Sequence, residues 1–281
     1  LEFHQVIDAH QHFWRYGPAE YEWIDDSMAG LRRDFLPLDL ARTVSDTEVS
    51  GTIAVQARQT VAESEWLLKL AAENGLIRGV VGWAPIADPE FPALLEDLVS
   101  QSKLRGLRHV VQGEPDGFLG SHEFNDGIVA LTKTGLVYDL LIVERQLPEA
   151  IEFVDRHPNQ VFVLDHIAKP RIAAGLLEPW AKNIAELARR QNVYCKLSGM
   201  VTEADWNHWT TATLIPYVDV VLEAFTPRRL MFGSDWPVCT VATTYVHWIE
   251  TLDRLLAGWS NDERERVFGG TAIEAYRLEG E

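Results

Sequence analysis

The feature that most narrows the fold is an alternation, kept up along the whole chain, of short β-branched apolar runs with amphipathic stretches of helical period. Runs centred near residues 6, 53, 80, 108, 140, 163, 195 and 232 read as eight strands. Helical patterns lie between nearly every pair. Trp66, Leu67, Leu70 and Ala71 form one stripe that ends at Gly75, a suitable residue just past a helix C-terminus. Asp88-Pro89 opens another, with Phe91, Leu94, Leu95 and Leu98 on its apolar face. Strict alternation implies parallel strands joined by right-handed crossovers, and eight such units close into an α/β barrel of the (β/α)8 (TIM) type. The rival is an open doubly wound sheet, but no Gly-x-Gly-x-x-Gly follows any strand. A length of 281 residues suits one barrel, and no change of composition marks a linker, so a single domain over 1–281 is expected.

The first crossover is the exception. From Phe13 to Asp39 the pattern is irregular yet holds Trp14, Tyr16, Tyr21 and Trp23, and it reads as a lid or wall beside the first strand. Further on, helices are expected over 123–134, 147–156 (stopped by His157-Pro158) and 179–191, with Arg189 and Arg190 in the last turn. A mostly helical segment over 202–225 has Pro216 as an internal boundary, and Ser260 with Glu263 has the form of a capping box.

In such barrels the reacting groups sit at the C-terminal ends of the strands. Those ends are unusually polar here. His10 and His12 follow the first strand, two residues apart, so their side chains share a face with backbones about 7 Å apart. Gln56 and Arg58 follow the second, Arg108 and His109 close the fourth, Asp165-His166 ends the sixth with Lys169 beyond, and Asp235 ends the eighth. Arg108 and His109 alternate faces, and Arg108 is assigned inward. Charges beside apolar strands are costly without partners, so their convergence on one rim points to a site. His4, His122, His157, His208 and His247 fall in predicted loops or helices and are read as structural or solvated.

Forty-two acidic residues against 25 Lys and Arg leave a formal charge of −17, which disfavours nucleic acid and anionic membranes as partners. Cys195 and Cys239 have no Cys-x-x-Cys partner, so neither a disulfide framework nor a zinc knuckle is implied. No leader pattern opens the chain and no apolar run approaches ~20 residues, so a cytoplasmic setting is expected.

Four segments carry a family resemblance: Val6-Ile7-Asp8-Ala9-His10-Gln11-His12-Phe13-Trp14, Leu164-Asp165-His166-Ile167-Ala168-Lys169-Pro170, Lys196-Leu197-Ser198-Gly199-Met200 and Phe232-Gly233-Ser234-Asp235-Trp236-Pro237. With Gly269-Gly270-Thr271-Ala272 and Tyr276-Arg277-Leu278 they make the chain resemble, over its whole length, amidohydrolases of the amidohydrolase 2 type. The likeness is to the sugar-lactone hydrolase branch that includes L-fuconolactonases and L-rhamnonolactonases. The resemblance implies a distorted barrel with His10, His12, His166 and Asp235 in one pocket. It also implies a small sugar lactone as substrate, with L-fucono-1,5-lactone the first choice. No bridging lysine is evident on strand four and no histidine ends strand five, so a binuclear centre is not expected. At most one divalent ion, zinc, would be held by some of His10, His12, His166 and Asp235, and turnover need not depend on it.

On this reading Asp235 is the general base, while His10, His12, His166 and Arg108 polarise the carbonyl. Trp14, Trp23, Trp83 and Trp236 are candidates to stack on a sugar ring, and Arg58, His109 and Lys169 to contact substrate. The alternatives are a mononuclear zinc decarboxylase or hydratase of an unsaturated carboxylic acid and, in another class, a non-catalytic sugar-binding barrel.

Overall fold

Each of the eight apolar runs forms a strand in the computed structural model, which describes residues 5–278. His4 lies outside the described residues. The strands are β1 (Val6–Gln11), β2 (Val49–Val55), β3 (Ile77–Gly82), β4 (Leu104–His109), β5 (Val137–Leu140), β6 (Phe162–Leu164), β7 (Val193–Leu197) and β8 (Leu230–Phe232). They pair in chain order and every ladder is parallel, as right-handed crossovers require.

The barrel is distorted at its seam. No ladder joins β8 to β1 among the described residues. The ring is closed at its C-terminal rim by a Gln11–Trp236 bridge, in which the His12 amide donates to the Trp236 carbonyl at 2.7 Å and the Asp235 amide to that of His10 at 2.8 Å. Below that bridge the buried Asp8 carboxylate fastens the two strands. It accepts from the Ser234 amide (2.8 Å), the Ser234 hydroxyl (2.6 Å), the Tyr245 hydroxyl (3.0 Å) and the His10 amide (3.1 Å). Burial lifts this carboxyl to about 6, and the hydrogen bonds from Ser234 work against the lift.

Helices cover the outside: α1 (Pro37–Thr43), α2 (Val61–Glu73), α3 (Phe91–Val99), α4 (His122–Thr132), α5 (Leu147–Arg156), α6 (Trp180–Leu187), α7 (Thr211–Phe225) and α8 (Tyr245–Leu255). The apolar stripe of α5, Leu147, Ala150, Phe153 and Val154, is typical in being fully buried against the strands. Each such side chain contributes about 1.5–3 kcal/mol by leaving water. Two short helices follow, α9 (Asn261–Glu265) and α10 (Thr271–Ala275), and the capping box of Ser260 with Glu263 forms as expected. Ala272, Ala275 and Tyr276 pack with Ile7, Ile53, Val81 and Val163 in the barrel interior, so the C-terminal segment fills the core beneath the rim.

Several boundaries differ from expectation. The first crossover contains α1, started by Pro37 at a position where its missing N–H costs nothing. Pro216 lies inside α7, within its first two turns, rather than at a boundary, and the stretch before Thr211 is turns. Helix α6 ends at Leu187, so Arg189 and Arg190 lie beyond it, where Arg190 pairs with Asp155 at 2.7 Å. Cys195 and Cys239 are both buried and free. No described helix is long and apolar enough to cross a membrane.

Candidate active site

His10 owes its position to an irregularity in β1. Ile7 and Ala9 face the barrel core, and the register with β2 then shifts between Asp8 and Gln11. A bulge of this kind changes which face the next residues take, so His10 also turns inward and His12 follows it. The His12 Nδ1 lies 2.8 Å from the Val55 carbonyl, which can only accept, so Nδ1 carries the proton and the Nε2 lone pair is free. The two Nε2 atoms are 3.1 Å apart.

His166 arrives by a less ordinary route. Strand β6 stops at Leu164, and His166, Ile167, Ala168 and Lys169 then all take left-handed backbone conformations, with φ of 52°, 49°, 59° and 48°. Outside glycine this costs about 1–2 kcal/mol per residue. The turn is held by the Trp180 indole, which donates to the Ile167 carbonyl at 2.7 Å, and by the buried ion pairs of Asp165. In return it turns His166 and Lys169 toward one cavity. Gly199, itself at φ +63°, lies so close that a Cβ there would come within 2.6 Å of His166 Nδ1, and Ser198 Oγ meets the same nitrogen at 2.9 Å.

Asp235 completes the cluster from beyond β8, also with positive φ (57°). Its Oδ1 is 3.4 Å from His12 Nε2, 3.8 Å from His10 Nε2 and 3.9 Å from His166 Nε2. Burial alone would lift the Asp235 carboxyl, but His166, the hydrogen bond with His12 and the other histidine charges hold it well below the ordinary carboxylate range. Burial pushes His166 down to about 4 and His10 well below its usual value, against the pull of nearby carboxylates. At neutral pH the site is therefore a carboxylate among imidazoles, with His10 and His166 neutral.

Beneath the histidines lies a charged layer in which Arg108 and Asp165, expected at the rim, meet Lys196 and Asp139, which the sequence reading missed. Lys196 of β7 donates to Asp139 Oδ2 (2.5 Å), stands 3.2 Å from His10 Nδ1 and forms an ion pair with Asp165 Oδ1 at 3.0 Å. Arg108 donates to Asp165 Oδ2 (2.9 Å) and the Gln56 carbonyl (2.5 Å), and its Nη1 is 3.4 Å from His10 Nε2. Tyr276 donates to Asp139 from below at 2.8 Å. Burial lifts Asp139 to about 6 against the attraction of Lys196, whereas Lys196, His10 and Arg108 together overcome burial at Asp165 and hold it well below the ordinary range. His10 Nδ1 also faces Asp165 Oδ1 at 3.3 Å, so both tautomers of its neutral ring find a partner. A signal for this layer was present: a lone charge inside a buried parallel strand, as in Val193-Tyr194-Cys195-Lys196-Leu197 or Val137-Tyr138-Asp139-Leu140, needs a partner of opposite sign.

A cavity of about 380 Å³ opens above this cluster, lined by His12, Arg108, His166 and Asp235 together with Trp23, Lys169, Glu203 and Trp206. Of the expected substrate contacts, only Trp23 and Lys169 line it. Trp14 is fully buried within the first crossover, against Tyr21, Trp23 and Phe35, with its indole donating to the Arg33 carbonyl. Trp236 packs edge-on to Phe13 and Phe35. Arg58 is drawn away by Glu20. Trp83 donates to His109, and His109 leans on Phe118 and pairs with Glu114 at 2.8 Å, on the strand face away from Arg108. Those five residues belong to the packing around the site, because aromatic and cationic groups in the loops found partners among themselves.

The donor set suits a divalent ion. His10, His166 and Asp235 offer ligand atoms within 4.8 Å of one another, and His12 faces His10. Three imidazoles and a carboxylate are ligands that zinc accepts. The closer separations, 3.1–3.4 Å, match ligand spacing about a tetrahedral ion with bonds of ~2.0–2.1 Å.

A metal-capable histidine–carboxylate cluster at the C-terminal rim of a distorted (β/α)8 barrel is the architecture of an amidohydrolase, and residues 7–278 match the amidohydrolase family model. The chain belongs to that family of hydrolases. It is 40% identical, over 97% of its length and 96% of the relative's, to the L-fucono-1,5-lactonase of Burkholderia multivorans. It is 36% identical, with the same coverage, to that of Burkholderia ambifaria. The crystal structure of a Burkholderia multivorans amidohydrolase with bound Zn is 40% identical and superposes with a TM-score of 0.93, covering 98% of this chain and 100% of that one.

Proposed function

We propose that this chain hydrolyses the ester bond of a sugar lactone, with L-fucono-1,5-lactone as the first substrate to try, releasing the aldonic acid. The observation that carries the chemistry is the meeting of His12 Nε2 with Asp235 Oδ1 at 3.4 Å. With Nδ1 committed to the Val55 carbonyl, Nε2 of the neutral ring is an acceptor like the carboxylate, so the group that fits between them is a proton donor, a water, or a cation. A water held there gives a proton to Asp235 while its oxygen attacks the lactone carbonyl carbon.

As that bond forms, negative charge develops on the carbonyl oxygen. Arg108, and His166 through Nε2–H with Nδ1 accepting from Ser198, are the donors that would stabilise it. The tetrahedral centre then expels the ring oxygen, which takes the proton from Asp235. His12 was expected to polarise the carbonyl. In this proposal its free Nε2 orients the water instead. A divalent ion bound by His10, His12, His166 and Asp235 would polarise the carbonyl and acidify the water. Trp23 offers the cavity an apolar face for the sugar ring.

The test is proton release across a panel of aldonolactones, with and without chelator. Asp235→Asn should keep KM within a few-fold and lower kcat by about 10²–10⁴. Asp235→Asn working at the wild-type rate would refute the mechanism. Turnover of an unsaturated carboxylic acid, lost on chelation, would favour a decarboxylase or hydratase instead.

A further inference from the structure

The wall of the cavity facing Asp235 is built from the left-handed turn and the segment after β7. It carries Lys169, Thr202, Glu203 and Trp206. Most polar atoms on it are already engaged. The Thr202 hydroxyl donates to the Gly199 carbonyl at 2.6 Å, and the Trp206 indole donates to the Thr202 carbonyl at 2.9 Å. Lys169 and Glu203 are different. Their charged ends stand 3.8 Å apart, beyond hydrogen-bonding distance, and neither side chain makes a hydrogen bond to the protein among the described residues.

Such a pair presents an acceptor and a donor side by side. A carboxylate only accepts and an ammonium only donates. A hydroxyl, the polar group a sugar ring carries, satisfies both together, donating its proton to Glu203 and accepting from Lys169 through its lone pairs. The flanking Trp23 and Trp206 supply apolar faces beside it.

The charges around the cavity point the same way. Its cations are Arg108 and Lys169. Arg108 is charge-paired with Asp165 and also donates to the Gln56 carbonyl, and Lys169 is matched by Glu203. The remaining charge is the Asp235 carboxylate. Apart from any ion held by the histidines, an anionic substrate group entering here meets no unmatched cation and two carboxylates. Burial and the neighbouring Asp235 raise the Glu203 carboxyl and Lys169 opposes them, which fits a carboxylate facing the same enclosed space.

We infer that Glu203 and Lys169 together are the specificity-determining pair of this site, binding a ring hydroxyl of a neutral polyol lactone and excluding lactones that carry a carboxylate. The inference rests on the lactonase reading for its substrate but not for its charge preference.

Two variants and two kinds of measurement test it. In kinetics, L-fucono-1,5-lactone is compared with D-glucaro-1,4-lactone, which has a free carboxylate. In calorimetry, the neutral 1,5-anhydro-L-fucitol, which has no ester to cleave, is compared with galacturonate. The wild type should prefer the neutral member of each pair by tenfold or more. Glu203→Gln removes the acceptor's charge and releases Lys169. It should weaken the neutral ligands by about tenfold, the loss of one charge-assisted hydrogen bond, mainly in KM. It should also bring the anionic ligands to within about threefold of the neutral ones.

Lys169→Met should weaken the neutral ligands similarly while leaving the anions excluded. The two variants thus move the anions differently, which general damage to the fold would not do. A neutral-to-anionic ratio unchanged within twofold in Glu203→Gln would overturn the inference, as would a wild type that binds galacturonate as well as anhydrofucitol. If the wild type hydrolyses no lactone yet keeps the calorimetric preference, the lactonase reading fails and the selector stands.

Discussion

Replacing Gly199 by alanine would put a single methyl group where the structure has no room for one. The added Cβ would stand 2.6 Å from His166 Nδ1, 2.7 Å from its Cγ and 2.9 Å from its Cβ. Ordinary contact is about 3.5 Å or more, so the imidazole must retreat by roughly 1 Å. The backbone adds its own resistance, because φ is +63° and alanine pays about 1–2 kcal/mol there. Displacing the ring also breaks its contact with Ser198 Oγ, worth about 1 kcal/mol. The sum is a loss of about 2–3 kcal/mol of stability, with lactone hydrolysis falling by up to about 10²-fold because His166 is misplaced by roughly an ångström. Urea unfolding at unchanged m-value measures the first, and initial rates by proton release the second. Gly258→Ala, where nothing lies within 4 Å, is the control and should be near neutral. Gly199→Ala within about 0.5 kcal/mol and twofold of wild type would refute the claim that this glycine holds His166 in place.

Two further outcomes follow from the buried charges. Folded His166 holds a pKa of about 4 against 6.5 when free, so the unfolded chain binds the extra proton between those values. Its contribution is complete above about pH 6.5 and is lost as pH falls toward 4. The stability of wild type relative to His166→Asn should therefore drop by about 2–3 kcal/mol between pH 7 and 4.5 in parallel urea titrations, and a pH-independent difference would contradict this. Lys196→Met strands Asp139 and Asp165 in the core and should cost about 3–5 kcal/mol, whereas adding Asp139→Asn should recover part of the loss. Additive effects in that double-mutant cycle would deny the pairing.

Much of the fold was legible because strand and helix periods differ and the strands are buried on both faces. His10, His12, Arg108 and Asp235 were legible for a related reason: polar residues where apolar strands end have few other uses. His166 was found for the right location and an incomplete reason, since no propensity announces that His166-Ile167-Ala168-Lys169 takes a left-handed turn; the packing of Trp180 and Gly199 imposes it. The tryptophans misled because composition does not say which surface an aromatic covers. Trp14 and Trp236 pack with Phe13, Tyr21 and Phe35 at one end of the main core. Glu203 was invisible because a carboxylate in a loop ordinarily faces solvent.

The seam between the first and last strands gives ligand binding an unusual mechanical consequence. His12 stands on one lip of the seam and Asp235 on the other, at the single bridge that closes its rim, and below them the strands are joined by the Asp8 fastening rather than by a ladder. Anything gripped by both residues, whether substrate, product or ion, acts as a temporary cross-link between segments far apart in the chain, closing a long loop. Saturation at about 100 times Kd adds about 2.7 kcal/mol to global stability, and amide exchange should report that gain unevenly. Protection should build first along β1 and the turn after β8, because those are the edges the ligand draws together.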